Sequence, residues 1–562
     1  MRWILKPRPD AKDIARLSGE LKVDALVAQL LLQRGIADYG QAKRFFRPQL
    51  SHLYDPFLMQ DMEAAVLRIH SAMTQGENIL VYGDYDVDGT TAVALVSSYL
   101  LSEYPQVATY IPDRYSEGYG VSRQGIDFAE DNGFSLIIAL DCGIKAVDQV
   151  AYAKDKGIDF IICDHHRPGK ELPEAVAILD PKRRDCNYPY PELCGCGIGF
   201  KLVQALGARQ GKPLADLVPY LDLVATAIGA DIVPITGENR ILAFYGLQVI
   251  NSEPRIGFQA ILNQVKKKTL TITDVVFIIA PRINAAGRME HGHYAVDLLT
   301  ETDFDRATQC AAKIEKFNYD RRELDLHTTE EALEQIRANR EESRCTSVVY
   351  KDSWHKGVIG IVASRLTETY YRPTLVFTKS GDKLAASARS VKGFDVYQAL
   401  EACSDHLEQF GGHKYAAGLT LAETQYENFK AQFEKVVSET IEPNLLTPEI
   451  QVDAQIQLHQ VSPRLWRILK QFAPFGPDNR TPVFMAEQLQ DTGYAKGVGE
   501  GERHLRLSVT QSGSTPMGAI GFTLGDKLPA VQNRRFFDAV FSLDENEWQG
   551  QTTLQMKLRD LR

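Results

Sequence analysis

The chain of 562 residues is 44% hydrophobic and 24% charged, a composition that excludes a disordered polymer and leaves room for three or four folded domains. Its net charge of −10 excludes bulk attraction to nucleic acid as a basis for function, although a local basic groove would survive it. The longest apolar runs, such as ALVAQLLL at 25–32, are too short to span a membrane, no signal-peptide pattern opens the chain, and eight cysteines suit reduced thiols better than a disulfide framework. A cytoplasmic enzyme with no membrane partner is expected.

Residues from about 10 to 75 read as helices punctuated by Gly35, Gly40, Pro48 and Pro56. The stretch ILVYGDYDVDGTTAVALVSSYL at 79–100 then reads as strand, loop and helix, with a break at Gly83 and Thr90 or Thr91 as the expected helix cap. Its loop carries Asp84, Asp86 and Asp88. Three carboxylates at alternate positions after a strand need a cation or protons to offset their charge. DYDVDG also opens like a calcium-binding EF-hand loop, but the twelfth position is Leu95 where a bidentate Glu is required, and the preceding element is a strand.

Apolar strands then alternate with helical segments: VATYIPDR, FSLIIALDCG and DFIICDHHRPG. This pattern predicts a parallel, doubly wound sheet. The runs end in Asp141, in Asp164, His165 and His166, and, after LDLVATAIGA, in Asp231. Four such strand ends, each delivering an acid or imidazole to the carboxyl edge of a sheet, can surround a pair of metal ions. LCGCGIGF at 193–200 reads as a glycine-rich turn before a helix, since one residue between Cys194 and Cys196 is poor zinc spacing.

The stretch 301–344, free of proline and glycine, predicts a long connecting helix whose Lys313, Lys316, Arg321 and Arg322 read as a charged surface. From 346 a smaller α/β region follows. Its Ser387 and Arg389 supply a hydroxyl and a guanidinium fork for phosphate, and Gly411 and Gly412, beside His413, let backbone amides approach. A proline-marked linker, IEPNLLTPEI, leads to segments that alternate with period two, including EIQVDAQIQL, HLRLSVT and TLQMKL, which predict a small β-barrel.

DYDVDG, ALDCG, DHH and GADIVP stand in the order and spacing of the DHH phosphoesterase superfamily. IPDRYSEGYG from 111, PRINAAGRM from 281, WHKGVIGIVASRL from 354, SARS from 387 and GGHKYAAG from 411 extend the resemblance over most of the chain. The chain resembles most the single-strand-specific exonuclease members. The resemblance implies an α/β fold: a helical segment at 1–70, a parallel-sheet phosphoesterase domain at 71–300, a connecting helix at 301–345, a substrate-binding domain at 346–440, and an oligonucleotide-binding-type barrel at 446–562. It implies that Asp84, Asp86, Asp141, His165 and Asp231 hold two ions, Mn²⁺ or Mg²⁺ on the grounds of mixed carboxylate and imidazole donors. His166 would contact the scissile phosphate, Arg288, Ser387, Arg389, Gly411, Gly412 and His413 would bind substrate, and Asp88, Asp164 and Asp222 would play supporting or capping roles. Single-stranded DNA is the implied substrate, degraded 5′-to-3′ to mononucleotides in repair and recombination, with a helicase or single-strand-binding protein as partner. The competing readings are a phosphodiesterase for cyclic dinucleotides or short oligonucleotides, and an inactive replisome scaffold that would have lost metal ligands. The chain departs from the superfamily where Ala227-Ile228 replaces a glycine-threonine pair, which bears on packing.

Overall fold

A computed structural model describes residues 1–265, 267, 269–512, 514–548 and 550–562. The chain forms two compact units, the larger from Trp3–Gly287, His291–Ile314 and Ile450–Arg562, the smaller mainly from Glu315–Glu449. Among the described residues no helix is long and apolar enough to cross a membrane.

The larger unit is built on a five-stranded parallel sheet in the order Val107–Tyr110, Asn78–Gly83, Phe134–Leu140, Asp159–Cys163, Ala177–Leu179. Its strands are continuous apolar runs because both faces are covered. One face packs against helices Arg123–Asp131 and Val147–Asp155 through Ile126, Ala129, Val150 and Ala153. The other meets helices Val87–Glu103 and Gly195–Arg209.

Two local expectations change. The run 221–230 is a helix, Leu221–Ala230, and Asp231 is its C-terminal cap rather than the end of a strand. Nearly every side chain of this helix is buried, so it shows no polar face, and a short apolar run of that kind has no periodicity to separate helix from strand. The helix after Gly83 begins at Val87 with Asp86 as its cap, Oδ1 accepting from the Gly89 amide at 3.0 Å. Thr90 and Thr91 lie inside it and donate back to the carbonyls of Asp86 and Val87, each at 2.6 Å.

The C-terminal strands form a barrel ordered Ala454–Gln455, Phe484–Asp491, Phe536–Trp548, Gln551–Leu561, Met517–Gly521, His504–Thr510 and Lys496–Val498, closed by pairing of Phe484–Asp491 with His504–Thr510. Its interior is shared with the N-terminal helices: Leu17, Val27 and Leu31 join Leu465, Phe472, Phe484 and Phe541 in one core.

The smaller unit has a sheet ordered Gln409–His413, Ala416–Ala422, Lys383–Arg389, Thr374–Ser380, Ser347–Tyr350, antiparallel except for the last pair. GGHKYAAG is the hairpin of its first two strands. The helix Phe304–Ala338 buries Ile314, Phe317 and Ile336, while Leu324 is exposed. Its Arg321 departs from the expected charged surface: it is mostly buried, held by the fully buried Asp325 at 2.9 Å and by the buried Asn318 at 2.7 Å, while Arg322 is exposed.

Asp222 has a packing role. It is fully buried and takes Arg255 in a fork, Nη2 to Oδ1 at 2.7 Å and Nε to Oδ2 at 2.9 Å, with the Arg255 amide at 3.1 Å. Removing one partner of a buried pair strands the other charge. Asp222→Ala is expected to lose about 3–5 kcal/mol in urea unfolding, and a loss below about 1 kcal/mol, the range of an exposed pair, would show that this ion pair does not pin the helix.

Candidate metal centre

The carboxyl edge of the parallel sheet gathers the acids. Asp84 follows Asn78–Gly83, and the chain folds back so tightly that a Cβ on Gly89 would lie 2.7 Å from the Asp84 amide nitrogen. Asp141 follows Phe134–Leu140 with φ +59°, a left-handed conformation that costs energy for a non-glycine residue. It leans on Gly195, where a Cβ would lie 2.6 Å from its own Cβ and 2.7 Å from Oδ1. Gly195, Gly197 and Gly199 of LCGCGIGF lie inside helix Gly195–Arg209, not in a turn before it. That helix start also holds Asp88, whose oxygens accept from the amides of Gly195 at 2.6 Å and Cys196 at 2.7 Å.

His165 is the hub. Its Nε2 lies 3.1 Å from Asp141 Oδ1, 3.6 Å from Asp231 Oδ2 and 3.7 Å from Asp88 Oδ2. These are ion-pair distances, yet burial, with the His166 charge beside it, pushes the His165 pKa down to about 3, so at neutral pH the ring is uncharged. A nitrogen lone pair facing three carboxylates is repulsive unless a cation lies among them. Among the described residues, both oxygens of Asp84, Oδ1 of Asp141 and Nε2 of His165 are buried with no hydrogen-bond partner. Burial, and then the neighbouring acids, holds Asp84 and Asp141 well above the usual carboxylate range and raises Asp88 to about 7 and Asp231 to about 8. The ligand atoms form two overlapping groups, Asp141 with His165 and His166, and Asp88 with His165 and Asp231. Hard oxygen donors with the neutral imidazole of His165 suit divalent ions of the Mn²⁺ and Mg²⁺ type, so the residues fit the metals expected.

Asp86 faces the same cluster, its charge raising Asp84, Asp88 and Asp141, but one of its oxygens is also the helix cap. Asp88 stands nearer the centre than a supporting role suggests. Asp164 does support: Oδ1 accepts from the amides of His165 at 2.7 Å and His166 at 3.0 Å and from His166 Nδ1 at 2.7 Å, while Oδ2 takes the Ile144 amide at 2.9 Å. Against the burial that would raise it, these donors keep Asp164 at about 2. With Nδ1 bound to Asp164, His166 turns Nε2 toward the hydroxyl of Tyr119 at 3.2 Å. Tyr119 went unassigned in the sequence, as did Arg114, whose guanidinium lies 4.7 Å over the Tyr85 ring and whose charge favours ionised Asp84. Both lie in IPDRYSEGYG, and nothing in composition or spacing marks either one.

In the smaller unit, Ser387 and Arg389 are two apart on one strand, so they share a face, and Arg389 Nη1 donates to Ser387 Oγ at 3.1 Å. Ser387 is opposite Gly418, which is opposite Gly411, and Arg389 is opposite Ala416, which is opposite His413. That register puts Gly411 and His413 on the same face. Gly412, with φ +147°, has no room for a side chain against Ala417. A Cβ on Gly360, in the first turn of helix Ile359–Tyr370, would lie 3.1 Å from both Arg389 Nη2 and Ser387 Oγ, so glycine keeps the helix start open beside the guanidinium. Arg288 Nη1 donates to the carbonyl of Gly357, just before that helix, at 3.1 Å.

A parallel sheet with an acid-rich carboxyl edge and an Asp-His-His turn defines a protein of the DHH class, and the family model described as DHH family, N-terminal domain, matches residues 78–228. The DHHA1 domain matches 343–439 and the RecJ OB domain 452–560. The chain belongs to the RecJ family. It is 34% identical over 571 aligned positions to the single-stranded-DNA-specific exonuclease RecJ of Bacillus subtilis (strain 168), covering 100% of this chain and 70% of the relative. It is 32% identical to the RecJ of Salmonella typhimurium, covering 99% and 98%. The crystal structure of RecJ in complex with Mn²⁺ from Thermus thermophilus superposes with a TM-score of 0.86 at 27% identity, over 100% of this chain and 79% of that one, and the Mg²⁺ complex with 0.79 at 26%, over 100% and 78%.

Asp88 and Asp231 hold their protons far above the ordinary carboxylate pKa near 3.9. In the metal-free protein their contribution to stability is full at low pH and is lost as pH rises through about 7 and about 8. A divalent ion held by these carboxylates would take the place of those protons. The melting temperature in chelator is therefore expected to fall from about pH 4 to about pH 8 and to level off above, and the increase on adding saturating Mg²⁺ to widen over the same range. A metal increment that stays constant with pH would mean that the ion neutralises other groups.

Proposed function

We propose that the chain is a metal-dependent exonuclease that hydrolyses single-stranded DNA 5′-to-3′ to mononucleotides, acting in the cytoplasm in DNA repair and recombination. The observation that carries this reading is the neutral His165 facing the buried Asp88 and Asp141 and the half-buried Asp231 in a chain that aligns along its whole length with RecJ exonucleases. Asp84, Asp86, Asp141, His165 and Asp231, joined by Asp88, hold two Mn²⁺ or Mg²⁺ ions. Bound there, the ions supply Lewis acidity that activates water and stabilises negative charge on the leaving oxygen.

The chain's own side chains do the rest. Asp164 fixes the tautomer and direction of His166, which presents Nε2 to the scissile phosphate, and Tyr119 holds that nitrogen in place until substrate arrives. Arg288, Ser387, Arg389, Gly411, Gly412 and His413 hold backbone or terminal phosphates through charge-assisted and amide hydrogen bonds. The barrel holds the strand by stacking: Phe522 is half exposed, with His504 edge-on at 5.3 Å and Lys557 Nζ 5.7 Å from its ring centre, and Tyr494 and Phe536 are exposed. A helicase or single-strand-binding protein supplies the opened strand.

The deciding experiment offers 5′-labelled and 3′-labelled single strands, duplex, RNA and a cyclic dinucleotide, each with Mn²⁺ and with Mg²⁺. Single-stranded DNA should be degraded from the 5′ end; faster turnover of the cyclic dinucleotide would move the chain to the short-substrate reading. Asp141→Ala is expected to abolish hydrolysis without unfolding the protein, whereas His166→Ala keeps metal binding and loses about 100-fold or more in kcat. Loss of an ion from His166→Ala would reassign that histidine as a ligand. Arg389→Ala is expected to raise KM about tenfold or more, the loss of a charge-assisted hydrogen bond worth about 1.5–3 kcal/mol. If KM rises equally with and without a 5′ phosphate, Arg389 grips the backbone rather than the terminus.

A further inference from the structure

The motif HGH at 291–293 has no part in the centre described above, yet it brings two imidazoles together. The Nδ1 atoms of His291 and His293 are 2.8 Å apart and their ring centroids 4.7 Å apart. His293 opens the helix His293–Thr300, and Asp297 follows at i+4 on the same face. The turn is firmly backed. A Cβ on Gly292 would lie 2.7 Å from Ile111 Cγ2 and 3.3 Å from Tyr85 Cα, so the histidine turn packs against the residue between Asp84 and Asp86.

Two nitrogen lone pairs at 2.8 Å cannot face each other unshared: a proton or a metal ion must lie between them. An ion about 2.0–2.1 Å from each nitrogen needs them roughly 3–3.4 Å apart, which the rings reach by opening a few tenths of an ångström. His293 and Asp297 are exposed and His291 is only partly buried, so that movement displaces no core. Asp297, one helical turn after His293, lies beyond direct reach of the two rings as placed, so its exposed carboxylate swings toward them to join an ion, and His291 Nδ1 gives up the His293 amide that it accepts at 3.2 Å.

We propose that His291 and His293, with Asp297 as third donor and water completing the shell, form a second metal site that takes a borderline transition ion such as Zn²⁺, Ni²⁺ or Co²⁺. Its chemistry differs from that of the carboxylate centre. Two imidazoles and one carboxylate favour these ions over Mg²⁺, whereas an acid-rich site accepts Mg²⁺ readily. The catalytic ions and the ion at the turn can thus be loaded separately.

The test is a Ni²⁺ titration of the full chain kept saturated with Mg²⁺, read by calorimetry and by metal analysis after desalting. The expected result is one Ni²⁺ per chain in the wild-type protein and in Asp141→Ala, lost in His291→Ala and in His293→Ala and weakened in Asp297→Asn. X-ray absorption on the nickel-loaded wild-type protein, which needs no variant to fold, should count two imidazole ligands. The proposal is overturned if the wild type takes up no Ni²⁺ over Mg²⁺, if both histidine variants take up as much as the wild type, if Asp141→Ala abolishes uptake, or if the absorption spectrum shows fewer than two imidazoles.

Discussion

Several buried carboxylates cannot remain ionised together in a space of a few ångströms, and the architecture of the larger unit follows from that constraint. Coulomb repulsion between such groups, little screened away from water, amounts to several kcal/mol per pair. The fold does not dilute this charge; it concentrates it at the carboxyl edge of the parallel sheet and keeps His165 neutral in its midst. An arrangement of this kind is stable only as a socket for cations or, at low pH, for protons.

The supports around the socket are chosen accordingly. Two helix starts face it, one capped by Asp86 and the other donating two amides to Asp88, so partial positive charge meets the acids. Asp164 is satisfied by four donors, and so aims the His166 ring and pins the His165 amide. The left-handed Asp141 and the missing side chain at Gly195 are two halves of one fit: the first turns a carboxylate inward, and the second leaves it the volume.

Much of this was legible in the sequence because it depends on short spacings. Alternating aspartates after an apolar run, and an Asp-His-His turn after another, locate a strand edge and its chemistry from residue types alone. The origin of Asp231 was not legible, since a helix buried on every side has the apolar profile of a buried strand. The capping role of Asp86 was hidden for a different reason: Thr90 and Thr91 are good caps by type, but the helix starts earlier, and their hydroxyls turn back to its own carbonyls. Tyr119 and Arg114 reach the centre through tertiary contacts that no local pattern encodes. The helices legible from about 10 to 75 carried no sign of their partner, the core of the barrel at 454–561.

That partnership bears on how the protein is made. Gln29 donates to the carbonyl of Asp453 across 424 residues, and Leu17, Val27 and Leu31 close the same core as Phe484 and Phe541. At a synthesis rate of about 5–20 residues per second, the first helices wait roughly 20–85 s for the segment that covers them. Throughout that time the ribosome carries an uncovered apolar surface, which makes these helices natural clients for chaperones until the segment that covers them emerges.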